Sequence, residues 1–319
     1  MTDARSVGIV GAGMAGLACA TRLAEAGIAV TLFDKGRGPG GRMATRRAEI
    51  AGEMLHFDHG AQYFTARDED FKRQVLAWEK AGYAARWPAA GDEAWVGIPA
   101  MNAPIKAMAK AVEVHWATRI DPVEWEGDEW IIRSDTAEHR FTDLVVAIPA
   151  EQAAVLLADA EPDFAVEAGS VRSAPCWAVM AAFAKPLAFS RDALKGNEQQ
   201  PVSWAVRNSA KPGRDAMESW VIHASPHRSR EVLDLPKEAV AKLLLADFFA
   251  QAQIDPVEPE HLAAHRWLYA MAEPVSGAAS RRWEAKRLGV CGDWLVAPRV
   301  EGAWLSGRHA AERIIAAAR

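Results

Sequence analysis

The chain has 319 residues, half of them hydrophobic and a quarter charged, with a formal net charge of -5. That is ordinary usage for a folded protein of about two domains, and the acidic balance argues against a nucleic-acid binder, which would show a basic face. Three cysteines, Cys19, Cys176 and Cys291, lie far apart with no CxxC, so neither a disulfide framework nor a zinc knuckle is indicated, and a reducing compartment is compatible with them.

Residues 6–10 are short and apolar and read as a buried strand. Gly11-Ala12-Gly13-Met14-Ala15-Gly16 follows at once, and residues 14–26 read as a helix with Leu17, Ala20, Leu23 and Ala24 available to face a sheet. Gly27 ends that helix, and 28–33 alternates as a second strand closing on Asp34. The same stretch could pass for the apolar core and ACA cleavage site of a signal peptide, but Gly11, Gly13 and Gly16 weaken such a helix and the pattern runs on into a strand. Strand, glycine turn, helix, strand and acid, in that order, is the context in which GxGxxG predicts dinucleotide binding. Gly11 permits the turn, Gly13 leaves room for a pyrophosphate and Gly16 lets the helix approach the strand. The helix N-terminus offers N–H groups to the phosphates, and Asp34 is placed to accept from ribose hydroxyls.

Next comes "DKGRGPGGRMATRR" (34–47), five basic residues and four glycines in an acidic chain. A simple nicotinamide dehydrogenase has no need of a second Gly-rich basic loop here. "GPGGRMATRR" resembles the segment after the first βαβ unit in FAD-dependent amine-oxidase-like flavoproteins. That resemblance implies that Lys35, Gly40, Gly41, Arg42 and Met43 border the cofactor, with Arg42 near the phosphates, while Arg37, Arg46 and Arg47 are solvated. "FDHGAQYFTA" (57–66) looks like the renalase segment that approaches the flavin ring, which implies contacts from Gly60, Ala61, Gln62 and Tyr63. The strand expected in "VEVHW" (112–116) implies backbone contacts to adenine around Val114. "CGDW" (291–294) and "VEGAWLSGRHAA" (300–311) resemble the last strand–turn–helix of FAD proteins. By that likeness Gly292 and Asp293 meet the ribityl chain, and a helix starting near Ala303 brings Gly302, Ala303, Trp304 and Leu305 to the pyrimidine end of the flavin, where its dipole favours negative charge.

Residues 119–150 read as a meander with turns at 126–128 and 134–138, ending in the apolar strand 144–148 before Pro149. Further on, "CWAVMAAFA", "VSWAVRN" and "SWVIHAS" are strand-like and 237–251 has helical spacing. "CWAVMAAFA" is also the longest apolar run outside the N-terminal stretch, too short to span a bilayer, so a cytoplasmic protein without membrane partners is expected. The expected fold is α/β: a Rossmann-like FAD-binding domain (1–66, 101–150 and 281–319) carrying an inserted mixed β-sheet with helices (67–100 and 151–280) as substrate domain.

Candidate chemistry is sparse. His261 and His265 in "HLAAH" lack an intervening Glu and a third ligand, so no metal is expected. No Gly-x-Ser-x-Gly elbow is present. Trp204, Trp220, Trp267 and Trp304 are the tryptophans expected to wall a flavin pocket. His59, Tyr63, Arg207, His223 and Trp304 are the candidate pocket residues, with a structural role equally open for His59, His223 and Arg207. The flavin carries the redox chemistry, which accounts for the lack of a visible acid–base pair. "SWVIHASPHRSRE" and "HRWLYA" are similar to bacterial renalase-like oxidoreductases. That likeness implies oxidation of 2- and 6-dihydro isomers of NAD(P)H, with noncovalent FAD as cofactor and O2 reduced to hydrogen peroxide. Two alternatives stand beside it: a flavin amine oxidase, whose aromatic cage and lysine the sequence does not place, and a non-catalytic FAD-binding sensor or scaffold. Aromatic monooxygenases also carry a Gly-Asp after their last strand, but the residues that follow Asp293 depart from theirs.

Overall fold

The computed structural model describes residues 5–197 and 199–318. The chain opens with β1 (Ser6–Val10), α1 (Met14–Glu25) and β2 (Ala29–Phe33), then a hairpin of β3 (Thr45–Ile50) and β4 (Glu53–Asp58). Helix α2 (Glu69–Lys80), a small hairpin of β5 (Ala84–Arg86) and β6 (Trp95–Gly97), and α3 (Ala103–Ala109) lead to β7 (Glu113–His115). The expected meander is β8 (Glu124–Glu126), β9 (Glu129–Arg133) and β10 (Glu138–Phe141), followed by β11 (Asp143–Val146). After α4 (Ala150–Leu156) and α5 (Pro162–Ser170) come β12 (Ser173–Ala182), β13 (Ala193–Lys195), β14 (Val202–Arg207) and β15 (Ser219–Ala224). The chain then runs through α6 (Pro226–Glu231), α7 (Lys237–Ala252), β16 (His261–Ala272), β17 (Arg281–Trp283), β18 (Leu288–Val290) and α8 (Val300–Ala316).

Two sheets organise these elements. The first has the order β17-β18-β11-β1-β2-β7, parallel except for β17 at its edge. Val7 and Ile9 are fully buried on one face and Val10 is buried on the other, as strands covered on both faces require. The glycine turn behaves as the motif demands. Gly11 has φ +105°, and a Cβ on Gly16 would stand 1.9 Å from the Gly11 carbonyl oxygen, so only glycine lets α1 seat this close to β1. Helix α1 buries Leu17, Ala20 and Leu23, but also Ala18 and Cys19, because α8 packs along its other side. Ala24, expected to face the sheet, is exposed: at the last turn the chain is already leaving the sheet.

The second sheet has the order β13-β14-β15-β12-β16. It was expected to be mixed; every pairing is antiparallel. Short connections make β13–β14–β15 a run of hairpins, while β12 pairs with β15 and β16 across longer segments of chain. Its two faces bury different things. Trp220, Ile222 and Ala205 pack against Leu244 and Phe248 of α7 on the outer face. Met180, Val206 and Val221 join an inner cluster that continues through Phe57, Leu17 and Ala311. Phe71, Val75 and Trp78 of α2, within the 67–100 segment, also sit in this inner cluster beside α1 and α8. Among the described residues no helix is long and apolar enough to cross a membrane.

Candidate active site

The residues expected to hold the cofactor are drawn into one continuous run. Helix α1 has no side-chain cap at Gly13 and no acid in its first turn, so its leading N–H groups remain available to an anion. A Cβ on Gly13 would meet nothing within 4 Å, whereas one on Gly41 would touch the Cα of Gly13 at 3.4 Å. The two glycine segments therefore lie side by side. Asp34 accepts from the N–H of Ala12 (2.7 Å) and of Gly36 (2.7 Å), which locks the turn to the basic loop and leaves a lone pair on each carboxylate oxygen. Lys35 is exposed just beyond it, and Val114 pairs with Leu32 at the sheet edge.

Arg42 and Asp293, expected at phosphate and ribityl chain, form an ion pair at 2.6 Å. This joins the basic loop to the C-terminal turn. The loop backbone also meets the 57–66 segment: Ala61 N–H donates to the Arg42 carbonyl at 2.8 Å, and a Cβ on Gly60 would stand 2.0 Å from the same oxygen. Met43 is buried at that junction. Arg37, Arg46 and Arg47 are exposed, but Arg46 and Arg47 belong to β3 rather than to a loop.

The C-terminal helix starts earlier than expected, at Val300 rather than near Ala303. Arg299 is the extended residue before it, and Ala303 N–H already donates to the Arg299 carbonyl. The uncommitted amides are consequently those of residues 300–302. Buried Glu301 accepts from the N–H groups of Arg67 (2.6 Å) and Asp68 (2.8 Å), pinning the end of the 57–66 segment to this helix start. Gly302 and Leu305 belong to the same first turns. Trp304 is buried with its ring 5.3 Å from Phe71, so its ring is used in packing against α2.

Two other pocket expectations are corrected by strand alternation. Trp220 is fully buried on the outer face, its Nε1 donating to Glu218 at 2.8 Å. Arg207 lies on that face too, paired with Asp192 (2.5 Å) and Glu218 (3.2 Å). Neither reaches the inner face. His223 and Trp204 do, since they alternate with Trp220 and Arg207. Trp204 sits 5.5 Å from Tyr63, and its Nε1 is buried without a partner among the described residues. Trp267 donates from Nε1 to the His59 carbonyl at 2.8 Å. His261 and His265 lie on strand β16, which puts them about 13 Å apart and beyond a shared ion.

Against this inner face stands a buried charged network that the sequence did not disclose. Asp58, fully buried, pairs with Arg214 (2.6 Å) and Lys211 (3.2 Å) and accepts from Thr45 Oγ1 (2.8 Å) and Met101 N–H (2.9 Å). Burial would raise its pKa, but the two cations and the Met101 bond outweigh that and hold it at about 2. Burial pushes Lys211 down to about 8 in spite of Asp58. Lys211 donates to Gln62 Oε1 at 2.9 Å, and Gln62 Nε2 reaches His223 Nε2 at 3.2 Å. Burial lowers His223 to about 4; burial, with His265 and Arg46 nearby, lowers His59 to about 3. Both imidazoles are neutral at pH 7, and His59 Nδ1 has no partner among the described residues.

The donor set suits FAD: open helix amides and a bare glycine for the pyrophosphate, an arginine, and carboxylates at both ends of the run. The comparisons agree. Residues 9–77 match the NAD(P)-binding Rossmann-like domain and residues 79–315 the flavin containing amine oxidoreductase model. Among solved structures, a putative protoporphyrinogen oxidase from Exiguobacterium sp. 255-15 superposes with a TM-score of 0.73 at 12% identity, covering 99% of this chain and 100% of that one. Cyclohexylamine oxidase from Brevibacterium oxydans IH-35A gives 0.69 at 13%, covering 98% and 99%. Wild-type putrescine oxidase bound to putrescine gives 0.65 at 15%, with the same coverage. The small chain of glutamate synthase [NADPH] from Mycobacterium tuberculosis is 30% identical over 133 residues, 39% of this chain and 26% of that protein. The match thus spans about a quarter of that curated relative's length.

Proposed function

The chain belongs to the flavin containing amine oxidoreductase family and is an FAD-dependent oxidoreductase, and from that premise we propose a renalase-like oxidase of 2- and 6-dihydro isomers of NAD(P)H. The overall reaction takes dihydronicotinamide, O2 and a proton to NAD(P)+ and hydrogen peroxide. FAD, when bound, supplies the hydride acceptor at N5 and hands the electron pair to O2. In this reading Gly11–Gly16, Asp34, Gly40–Met43, Gly60–Tyr63, Gly292–Asp293 and the 300–302 amides hold the cofactor. The substrate domain would be the five-stranded sheet with its helices, and the cell compartment the cytoplasm.

One observation carries the proposal. The inner-face side chains beside Gly60–Tyr63 are neutral or already paired at pH 7. His59 and His223 are kept unprotonated, while Lys211 is tied to Asp58 and Gln62. A donor poised to lose hydride needs a positioning surface and no base. Tyr63 and Trp204 supply flat walls for a nicotinamide ring, while the buried Gln62 amide is spent on the Asp58 and Gly60 carbonyls, His223 and Lys211 and holds the wall in place.

A second reading has its own support. Lys211 near pKa 8 and the Tyr63–Trp204 pair also suit an amine oxidase, in which lysine and aromatic walls handle an amine. Anaerobic titration separates the two. The purified yellow protein is expected to bleach with one equivalent of 2- or 6-dihydro-NAD and far more slowly with ordinary 4-dihydro-NADH, whose hydride sits on another ring carbon. A displacement of about 1 Å can cost a hundredfold in rate. Bleaching by benzylamine or putrescine, with no response to either isomer, would select the amine oxidase.

A further inference from the structure

The edge strand β16 carries a groove of about 470 Å3 that the chemistry above leaves unused, lined by Arg46, Trp177, Leu235, Lys237, His265 and Arg266. That volume lies in the range of small-molecule sites. Three cations line it and, among the described residues, no carboxylate does. Among the described residues Arg46 makes no ion pair, and Lys237 has only Glu238 at 3.8 Å. Arg266 stands 5.8 Å above the Trp177 ring. Trp177 is itself buried, with an indole Nε1–H that has no acceptor among the described residues. Cations that face the groove with no carboxylate among its described lining form a surface complementary to a phosphate ester.

The groove also adjoins the candidate site. His265 at its lip lies 4.9 Å from His59, the residue before Gly60, whose backbone packs on the Arg42 carbonyl. We propose that this groove binds the phosphate-bearing, ADP-ribose arm of a dinucleotide donor while the nicotinamide reaches past His59 to the inner face. The assignment rests on the dihydronicotinamide reading. It explains why the charge is concentrated over β3, β16 and the start of α7 in a chain of net charge -5. It also gives a simple amine no reason to need these residues.

The test uses FAD-loaded protein, ADP-ribose as a redox-silent probe, and two donors of the same isomer, one a dinucleotide and one a mononucleotide. The double variant Lys237→Glu with Arg46→Ala is suitable because both side chains are exposed and Glu at the first turn of α7 suits the helix dipole. Calorimetry should show ADP-ribose binding to the wild type and weakening about tenfold or more in the variant, the loss of one or two charge-assisted contacts. The Kd of the dinucleotide donor should rise by a similar factor, and that of the mononucleotide by less than twofold. Equal losses for both donors, or ADP-ribose that fails to compete with the dinucleotide, would overturn the groove assignment. Should neither donor reduce the flavin, the reaction assigned above fails instead, and the ADP-ribose titrations alone decide the groove.

Discussion

In the turn between β1 and α1, six consecutive residues form the glycine turn to which the proposal assigns the pyrophosphate. On the inner face of the five-stranded sheet, by contrast, the charged centre is assembled from Asp58 and Lys211, 153 positions apart. The first site is built from backbone, and its demands fall on glycines in fixed order. The second is built from side chains that meet only after the hairpin β3–β4 packs against the loop between β14 and β15. Local geometry writes itself into a motif; a site closed across the fold leaves scattered residues of ordinary type.

The sharpest way to break this contrast is within the turn. Gly13→Val should abolish FAD retention while the chain stays folded, because its Cβ meets no protein atom within 4 Å yet would occupy the space proposed for the pyrophosphate. Gly16→Val should prevent folding, since its Cβ would stand 1.9 Å from the Gly11 carbonyl oxygen. Circular dichroism and flavin absorbance distinguish them, and stoichiometric FAD on a folded Gly13→Val protein would refute the assignment of the turn.

The distributed centre should respond in stability. Asp58→Asn leaves Lys211 and Arg214 buried without their carboxylate, and the unfolding free energy should fall by about 3–5 kcal/mol. Urea denaturation reads this directly, and a loss under 1 kcal/mol would mean the network is solvated. Arg42→Ala is next in size: removing one charge-assisted contact should weaken FAD binding by about 1.5–3 kcal/mol, and an unchanged FAD Kd would detach Arg42 from the cofactor.

The smallest effect is a pH slope. His59 at about 3 and His223 at about 4 lie below the ordinary 6.5, so the unfolded chain takes up protons first as the pH falls. Stability is therefore full above about 6.5 and is lost towards pH 4, each histidine adding about 1.4 kcal/mol per pH unit. His223→Phe should flatten that slope between pH 6 and 5; identical slopes in variant and wild type would place the titration elsewhere.

Much of the first region was legible in the chain itself. GAGMAG, Asp34, GGR at 40–42 and GD at 292–293 are local signals, and the structure gathers them as one run. The inserted sheet was legible as strands, but not as faces. Trp220 and His223 are three apart, as are Trp204 and Arg207, and in a strand an odd spacing puts the members of each pair on opposite faces. That rule separates Trp220 and Arg207 from His223 and Trp204, and only the packing of α7 on one face says which pair is turned away from the pocket. Lys211 and Arg214 were missed because "SAKPGRD" carries the marks of a turn, and nothing local ties it to Asp58. The start of α8 was missed by one turn because the cap is Arg299, a residue with no capping side chain to announce it.

The claim at the centre of the account is that the inner face positions a hydride donor and supplies no base. The limiting rate of anaerobic flavin reduction by 6-dihydro-NAD, followed by stopped flow from pH 6 to 9, tests it most directly. A profile level across that range is predicted, since His59 and His223 stay neutral throughout and hydride departure needs no proton removed. A rate that climbs through about pH 8, the region where Lys211 loses its proton, and that levels out in Lys211→Met would contradict it and make Lys211 the base.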